Sequence, residues 1–366
     1  CLVCLLAVSC TRRTPPPRLS VDEVTALFPD KVDDRDGWAR DLLAALDENQ
    51  LPVDVEHACS VIAVAEQESG IVANPVVANL PAIARKALDE KADKLGPLGP
   101  PALERLLDVK PPGAKKTFRQ RIATLKTEAD LDLLFRDLLD EHQRRSPFLY
   151  GAADLGARLF DSGSLEAHNP VTTAGSMQVS VRFSEARARS LRRDPAGVRD
   201  ALYTRAGGLL YGTARLWSYE AGYEQMVFRF ADYNAGEFSS RNAAFQEQVS
   251  QLTKTPLALD GDLLAYSADG DLKSTATHTM EAVTSLGGTV RDARREKSRE
   301  FERTKTWLDV RAQWEAKFHR AAPYARLPDV ELRSSKLSKT RSTAWFATSV
   351  QRRYDACLTR AAKPRP

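Results

Sequence analysis

Val61-Ile-Ala-Val-Ala-Glu-Gln-Glu-Ser-Gly70 closes a run, Val55–Ser69, whose small and branched apolar residues predict a helix, with Gly70 standing just past its last turn as the stop. On that helix Glu68 shares a face with Val61, Val64 and Ala65. A carboxylate on an apolar stripe loses solvation, and the negative end of the helix dipole lies at the same turn; both favour the protonated acid. A carboxyl that keeps its proton near neutral pH can protonate a glycosidic oxygen. The competing reading is a helix-end residue at the surface, and this stretch alone does not choose between them.

Outward from that helix the pattern stays helical. Trp38, Leu42, Ala45 and Leu46 recur at helical spacing in Asp36–Asn49, and Pro52 breaks the run. Residues 76–145 carry several amphipathic helices separated by Gly96-Pro-Leu-Gly-Pro-Pro101 and Pro111-Pro-Gly113; Asp130–His142 is the clearest. Residues 162–181 are irregular. Helical patterns resume at Phe183–Arg193, Pro195–Tyr203, Gly208–Tyr219, Gln225–Asn234 and Ser240–Leu252. The region 273–366 is charged and helical, with one strand expected near Val330–Leu332. The fold class is therefore mainly α. Asp260-Gly-Asp262 and Asp269-Gly-Asp271 lack the ligand series and closing Glu of a calcium loop and read as turns, so no metal and no cofactor is expected.

The chain has 366 residues, which allows about two domains or one domain with a large insertion. Apolar residues at 43% suffice for an ordinary core, and a net charge of +4, spread rather than clustered, gives no support for nucleic-acid binding. Residues 1–10 are an apolar run too short to span a bilayer. Ala7-Val-Ser-Cys10 is placed like a lipobox, although Ala7 stands where Leu is usual, so Cys10 is the expected site of acylation and a lipid anchor the expected link to a membrane. Residues 11–20, Pro-rich, read as a tether. Removal of residues 1–9 and acylation of Cys10 would leave Cys59 and Cys357, which in an oxidising compartment either form a disulfide or stay as two buried thiols.

Three further segments bear on chemistry. They are Thr173-Ala-Gly-Ser-Met-Gln-Val179, Gly207-Gly-Leu-Leu-Tyr-Gly-Thr-Ala-Arg-Leu216 and Phe230-Ala-Asp-Tyr-Asn-Ala-Gly236. Each alone is weak: Met177 reads first as core, Tyr233 first as packing. Their order and content resemble the catalytic domain of soluble lytic transglycosylases and goose-type lysozymes. Glu68-Ser69 matches that family's first element, Gly175-Ser176-Met177-Gln178 its second, Gly208, Tyr211 and Leu216 loosely its third, and Tyr233-Asn234-Ala235-Gly236 its fourth. The whole chain also resembles an uncharacterised family of bacterial lipoproteins, which carries no function over.

The resemblance implies a lysozyme-like helical domain over residues 21–258, with Glu68 as acid/base for cleavage between N-acetylmuramic acid and N-acetylglucosamine to a 1,6-anhydro product. Ser69 would stand beside the catalytic site, Met177 and Gln178 would line the sugar groove, Tyr233 would position Glu68, and Asn234 would bond backbone or substrate. The implied partner is the peptidoglycan glycan strand, and the implied location is the periplasmic face of the outer membrane. No Asp or Glu lies between Ser69 and Leu88, so the local sequence lacks the second acid of an inverting hydrolase; Asp89, Asp154 and Asp232 are the distant candidates.

The chain departs from the family in three respects. Glu68 and Gln178 stand 110 residues apart, which requires a helical insertion over about residues 76–165. Ser176 replaces a hydrophobic residue. Residues 259–366 lie outside the resemblance as a C-terminal helical extension. Two readings of the function remain: an exported glycan lyase, or a non-catalytic peptidoglycan-binding or scaffolding lipoprotein with a retained groove.

Overall fold

The computed structural model describes residues 18–93, 96–145, 169, 171–267, 270–332 and 341–363. Cys10, Asp154 and most of the tether lie outside them. The chain is mainly helical, and among the described residues the only strands are three short antiparallel hairpins. No described helix is long and apolar enough to cross a membrane.

Helices α1 (Val21–Leu27), α2 (Arg35–Glu48) and α3 (Val55–Ser69) begin the fold. Ser20 and Glu23 form a reciprocal cap at the start of α1, and the Asp54 carboxylate accepts from the His57 amide at the start of α3, so each helix begins where its first free amides find an oxygen. Gly70 ends α3 in the left-handed region at φ 68°, a conformation glycine adopts without strain. Every residue of α3 from Ala58 to Ala65 is buried, so this helix is enclosed on all sides.

What encloses it comes partly from the far end of the chain. Helix α16 (Thr343–Ala361) packs along α3 and along α11 (Met226–Ala235), placing Phe346, Ala347, Val350, Tyr354 and Cys357 in the same apolar core as Val61, Ile62 and Val64. Each large side chain of that set stabilises the docked helix by about 1.5–3 kcal/mol. Cys59 and Cys357 are joined in a disulfide across this interface.

A second core lies beside the first. It is built by α4 (Leu80–Asp93), α5 (Gly99–Leu107), α6 (Phe118–Ile122) and α7 (Glu128–Arg145), together with the hairpin of β1 (Thr173–Ala174) and β2 (Val179–Ser180), α8 (Val181–Ser190) and α9 (Val198–Leu202). Helix α10 (Arg205–Trp217) divides the two cores: Leu209 and Leu216 enter the first, Leu210 and Tyr211 the second. The apolar and small character of Gly207–Leu216 around its whole circumference follows from that position.

A third core joins α12 (Ser239–Thr253) to α13 (His278–Ser285), α14 (Val290–Ala293) and α15 (Lys305–Phe318) through Phe245, Phe301 and Trp307. Between them runs the hairpin of β3 (Ala265–Tyr266) and β4 (Leu272–Ser274), and β5 (Glu331–Leu332) pairs with β6 (Arg341–Ser342) just before α16. Residues 259–366 are therefore not one extension. Their first part forms this third core around α12, and their last helix returns to complete the first.

Candidate active site

Glu68 occupies the last turn of α3 and is half-buried. Ser69 beside it is a helix-end cap: its hydroxyl donates to the Ala65 carbonyl at 3.1 Å and accepts from the Val72 amide at 3.0 Å. This fixes the first turn of the chain after the acid.

The Gly175–Gln178 segment forms the turn of the β1–β2 hairpin. Gln178 takes up a left-handed backbone at φ 48°, a strain held by its surroundings. Its side-chain amide donates to a Glu128 carboxylate oxygen at 2.9 Å and to the Gly175 carbonyl at 3.2 Å, and accepts from the Thr173 hydroxyl at 3.2 Å. The amide is thus engaged in holding the turn. Met177 is fully buried. A Cβ on Gly212 would stand 2.2 Å from its sulfur and 2.7 Å from its Cβ, and a Cβ on Gly208 would stand 2.6 Å from the Ser176 hydroxyl. Two glycines one turn apart thus give α10 a flat face on which the hairpin turn rests. Ser176 is fully buried, with its hydroxyl against Gly208.

Met177 and Gln178 were expected to line a sugar groove; the first is sealed from solvent and the second is half-buried with its amide bonded to the hairpin. Met177 is packing beneath the site, and the polar atoms of Gln178 serve the hairpin.

Tyr233, near the end of α11, ties the segments together. Its phenol donates to the Met177 carbonyl at 2.7 Å. Burial, and after it the nearby negative charge of Glu68, hold the phenol well above its ordinary pKa, with the Arg215 charge acting the other way. Tyr233 thus holds the Met177 turn and lies within electrostatic reach of Glu68, although the three are far apart in sequence. Asn234 accepts from the Thr343 hydroxyl at 2.9 Å, so it anchors the first turn of α16 to the end of α11.

The distant acids fare differently. Asp232 is fully buried and accepts from Tyr219, Tyr223, Ser239 and Ser240; it is a structural carboxylate whose pKa burial raises against those bonds. Asp89 pairs with Arg85 on the face of α4. The acid that does approach the hairpin is Glu128, at the first turn of α7 and 3% exposed. Sequence reasoning missed it, because nothing local links residues fifty positions apart. Among the described residues no group of His, Cys, Asp and Glu is arranged to hold a metal ion.

The family described as protein of unknown function DUF1615 matches residues 31–360, and the chain belongs to it. It is also similar to the uncharacterized protein YaiW of Escherichia coli strain K12, with 34% identity over 98% of this chain and 96% of that protein. No solved structure matches it.

Proposed function

We propose that the chain is a peptidoglycan lytic transglycosylase of the bacterial envelope, with a lysozyme-like arrangement around α3, α10 and α11 and with Glu68 as the acid/base. The observation that carries the reading is the buried Tyr233 phenol, bonded to the Met177 carbonyl and within electrostatic reach of Glu68. The Glu-Ser, Gly-Ser-Met-Gln and Tyr-Asn-Ala-Gly segments that resemble the transglycosylase pattern are thereby neighbours in space.

In the reaction Glu68 donates its proton to the oxygen between N-acetylmuramic acid and N-acetylglucosamine, and the bond from the muramoyl C1 to that oxygen breaks. The C6 hydroxyl of the same sugar then attacks C1 and returns its proton to Glu68. The acid is regenerated, the ring closes as a 1,6-anhydro sugar, and no water is consumed. One positioned carboxyl supplies both proton transfers, worth about 10²–10⁴-fold in rate. Acylation of Cys10 would hold the enzyme at the periplasmic face of the outer membrane, within reach of the wall.

The test is incubation of the full chain with purified sacculi. Release of 1,6-anhydromuropeptides that Glu68→Gln abolishes supports the reading, and equal release by both proteins removes Glu68 from it. A second reading, a wall-binding lipoprotein without catalysis, draws on the internal engagement of the Gln178 amide and the burial of Met177, which leave few groove-lining groups of the expected kind. It predicts that sacculi sediment the protein and release nothing.

A further inference from the structure

A cavity of about 350 Å³ opens at the C-terminal end of α10, between that helix, α8 and the end of α2. Phe183 and Trp217 supply aromatic surface, Leu51 an aliphatic patch, and Asn49 and Arg187 the polar groups. Trp217 stacks on His57 in the first turn of α3, eleven residues along the helix from Glu68, or about 16 Å at the rise of an α-helix. The cavity is thus separate from the acid.

The side chains around it are fixed. Asn49 donates to the carbonyls of Ala45 and Leu210 at 2.8 and 3.1 Å, which leaves its oxygen to accept from an Arg187 Nη at 2.9 Å. The Trp217 indole N–H donates to the Ser60 hydroxyl at 3.1 Å. Within this frame the Arg187 Nε is shielded from solvent and has no hydrogen-bond partner. Its neighbours Arg193 and Arg215 each pair with a carboxylate, Glu48 and Glu237; Arg187 pairs with none among the described residues. A guanidinium that lines the cavity, held by an amide and with no carboxylate of its own, is a ready receptor for an anion. Aromatic and aliphatic surface beside it suits a ring or an alkyl group.

We infer that this cavity is a binding site for a small carboxylic acid attached to a sugar-sized ring, with Arg187, oriented by Asn49, receiving the carboxylate and Phe183 and Trp217 flanking the ring. The choice of ligand rests on the proposed peptidoglycan reading, although the cavity itself makes no use of Glu68. Its natural probe is N-acetylmuramic acid, whose lactyl carboxylate is the group that N-acetylglucosamine lacks.

The experiment is calorimetric titration of the full chain with N-acetylmuramic acid, N-acetylglucosamine, D-lactate and inorganic phosphate. N-acetylmuramic acid is expected to bind at least tenfold more tightly than each of the other three. Arg187→Gln is expected to reduce the preference over N-acetylglucosamine to less than twofold, and Gly197→Ala, where a new methyl meets nothing, to leave it unchanged. Ala186→Trp, at an exposed position on the cavity wall, is expected to abolish binding while preserving every hydrogen bond named above; it keeps the test decisive where Arg187→Gln does not fold. Equal binding of the two sugars, tighter binding of phosphate, or full binding by Ala186→Trp overturns the inference.

Discussion

Replacing Gly212 by alanine sets two well-defined effects against each other. In an exposed helix the change stabilises by about 1 kcal/mol, because alanine loses less backbone entropy. Here the new methyl would lie 2.2 Å from the Met177 sulfur, 2.9 Å from its Cγ and 2.7 Å from its Cβ. The sulfur can swing aside, but the Cβ cannot move without moving the hairpin turn. Overpacking of this kind costs about 1–3 kcal/mol. The expected net change is a loss of up to about 2 kcal/mol, read as a lower urea midpoint at unchanged m-value. Gly197 is the control, since a Cβ there meets nothing within 4 Å, and Gly197→Ala should be neutral within about 0.5 kcal/mol. Met177→Ala alone should cost about 2–5 kcal/mol. In the Gly212→Ala background it should cost at least about 1 kcal/mol less, because the same contact would be relieved. Sacculus digestion should weaken in step, as the displaced turn carries the Met177 carbonyl away from Tyr233. A stabilised Gly212→Ala protein with strictly additive effects in the double variant would refute the claim that α10 and the hairpin meet as tightly as described.

Other consequences follow from named contacts. Removing the disulfide with Cys59→Ala/Cys357→Ala frees a loop closed over a sequence separation of 298; the chain-entropy relation gives an upper figure of about 5–6 kcal/mol, and a loss of about 2–5 kcal/mol is expected by urea unfolding. An unchanged midpoint, with five rather than three free thiols titrated in the unfolded full chain, would contradict the pairing. Tyr233→Phe leaves the Met177 carbonyl without its donor and should cost about 1–3 kcal/mol and slow glycan release; unaltered stability and release would remove Tyr233 from the site. Burial pushes the Glu296 carboxyl up to about 7 despite bonds from the amides of Leu263 and Leu264 and the Tyr266 hydroxyl. The native state then holds a proton between about pH 4.5 and 7 that the unfolded chain has released, so stability falls with rising pH across that window and levels off above it, by about 3 kcal/mol in all. Glu296→Gln should flatten that slope in a series of thermal melts; an equal slope in both proteins would assign it elsewhere.

Where a segment's own chemistry sets its conformation, the sequence was legible. Helix α3 was expected over the residues it occupies, because an apolar run ends at a glycine that can take φ 68°. The helices carrying Leu210 and Phe230 began and ended within a few residues of expectation for the same kind of reason. The failures are all long-range. Nothing in the periodicity of Thr343–Ala361 says that it returns three hundred residues to cover α3, and only the cysteine pair hinted at it. Nor does local sequence reveal that Glu128 will meet Gln178, or that Met177 will be sealed against Gly212. A motif match identifies residues of a pattern but leaves open which of their atoms face solvent; Met177 and Gln178, expected to line a groove, are a sealed thioether and a turn-holding amide.

The most direct measurement is mass spectrometry of the glycan released from sacculi by the full chain in heavy-oxygen water. The account predicts 1,6-anhydromuramic ends that carry no label, because the sugar's own hydroxyl closes the ring, and no such product with Glu68→Gln. Labelled reducing ends would make the protein a hydrolase, and the absence of any product from a folded, sacculus-bound wild-type protein would contradict catalysis altogether.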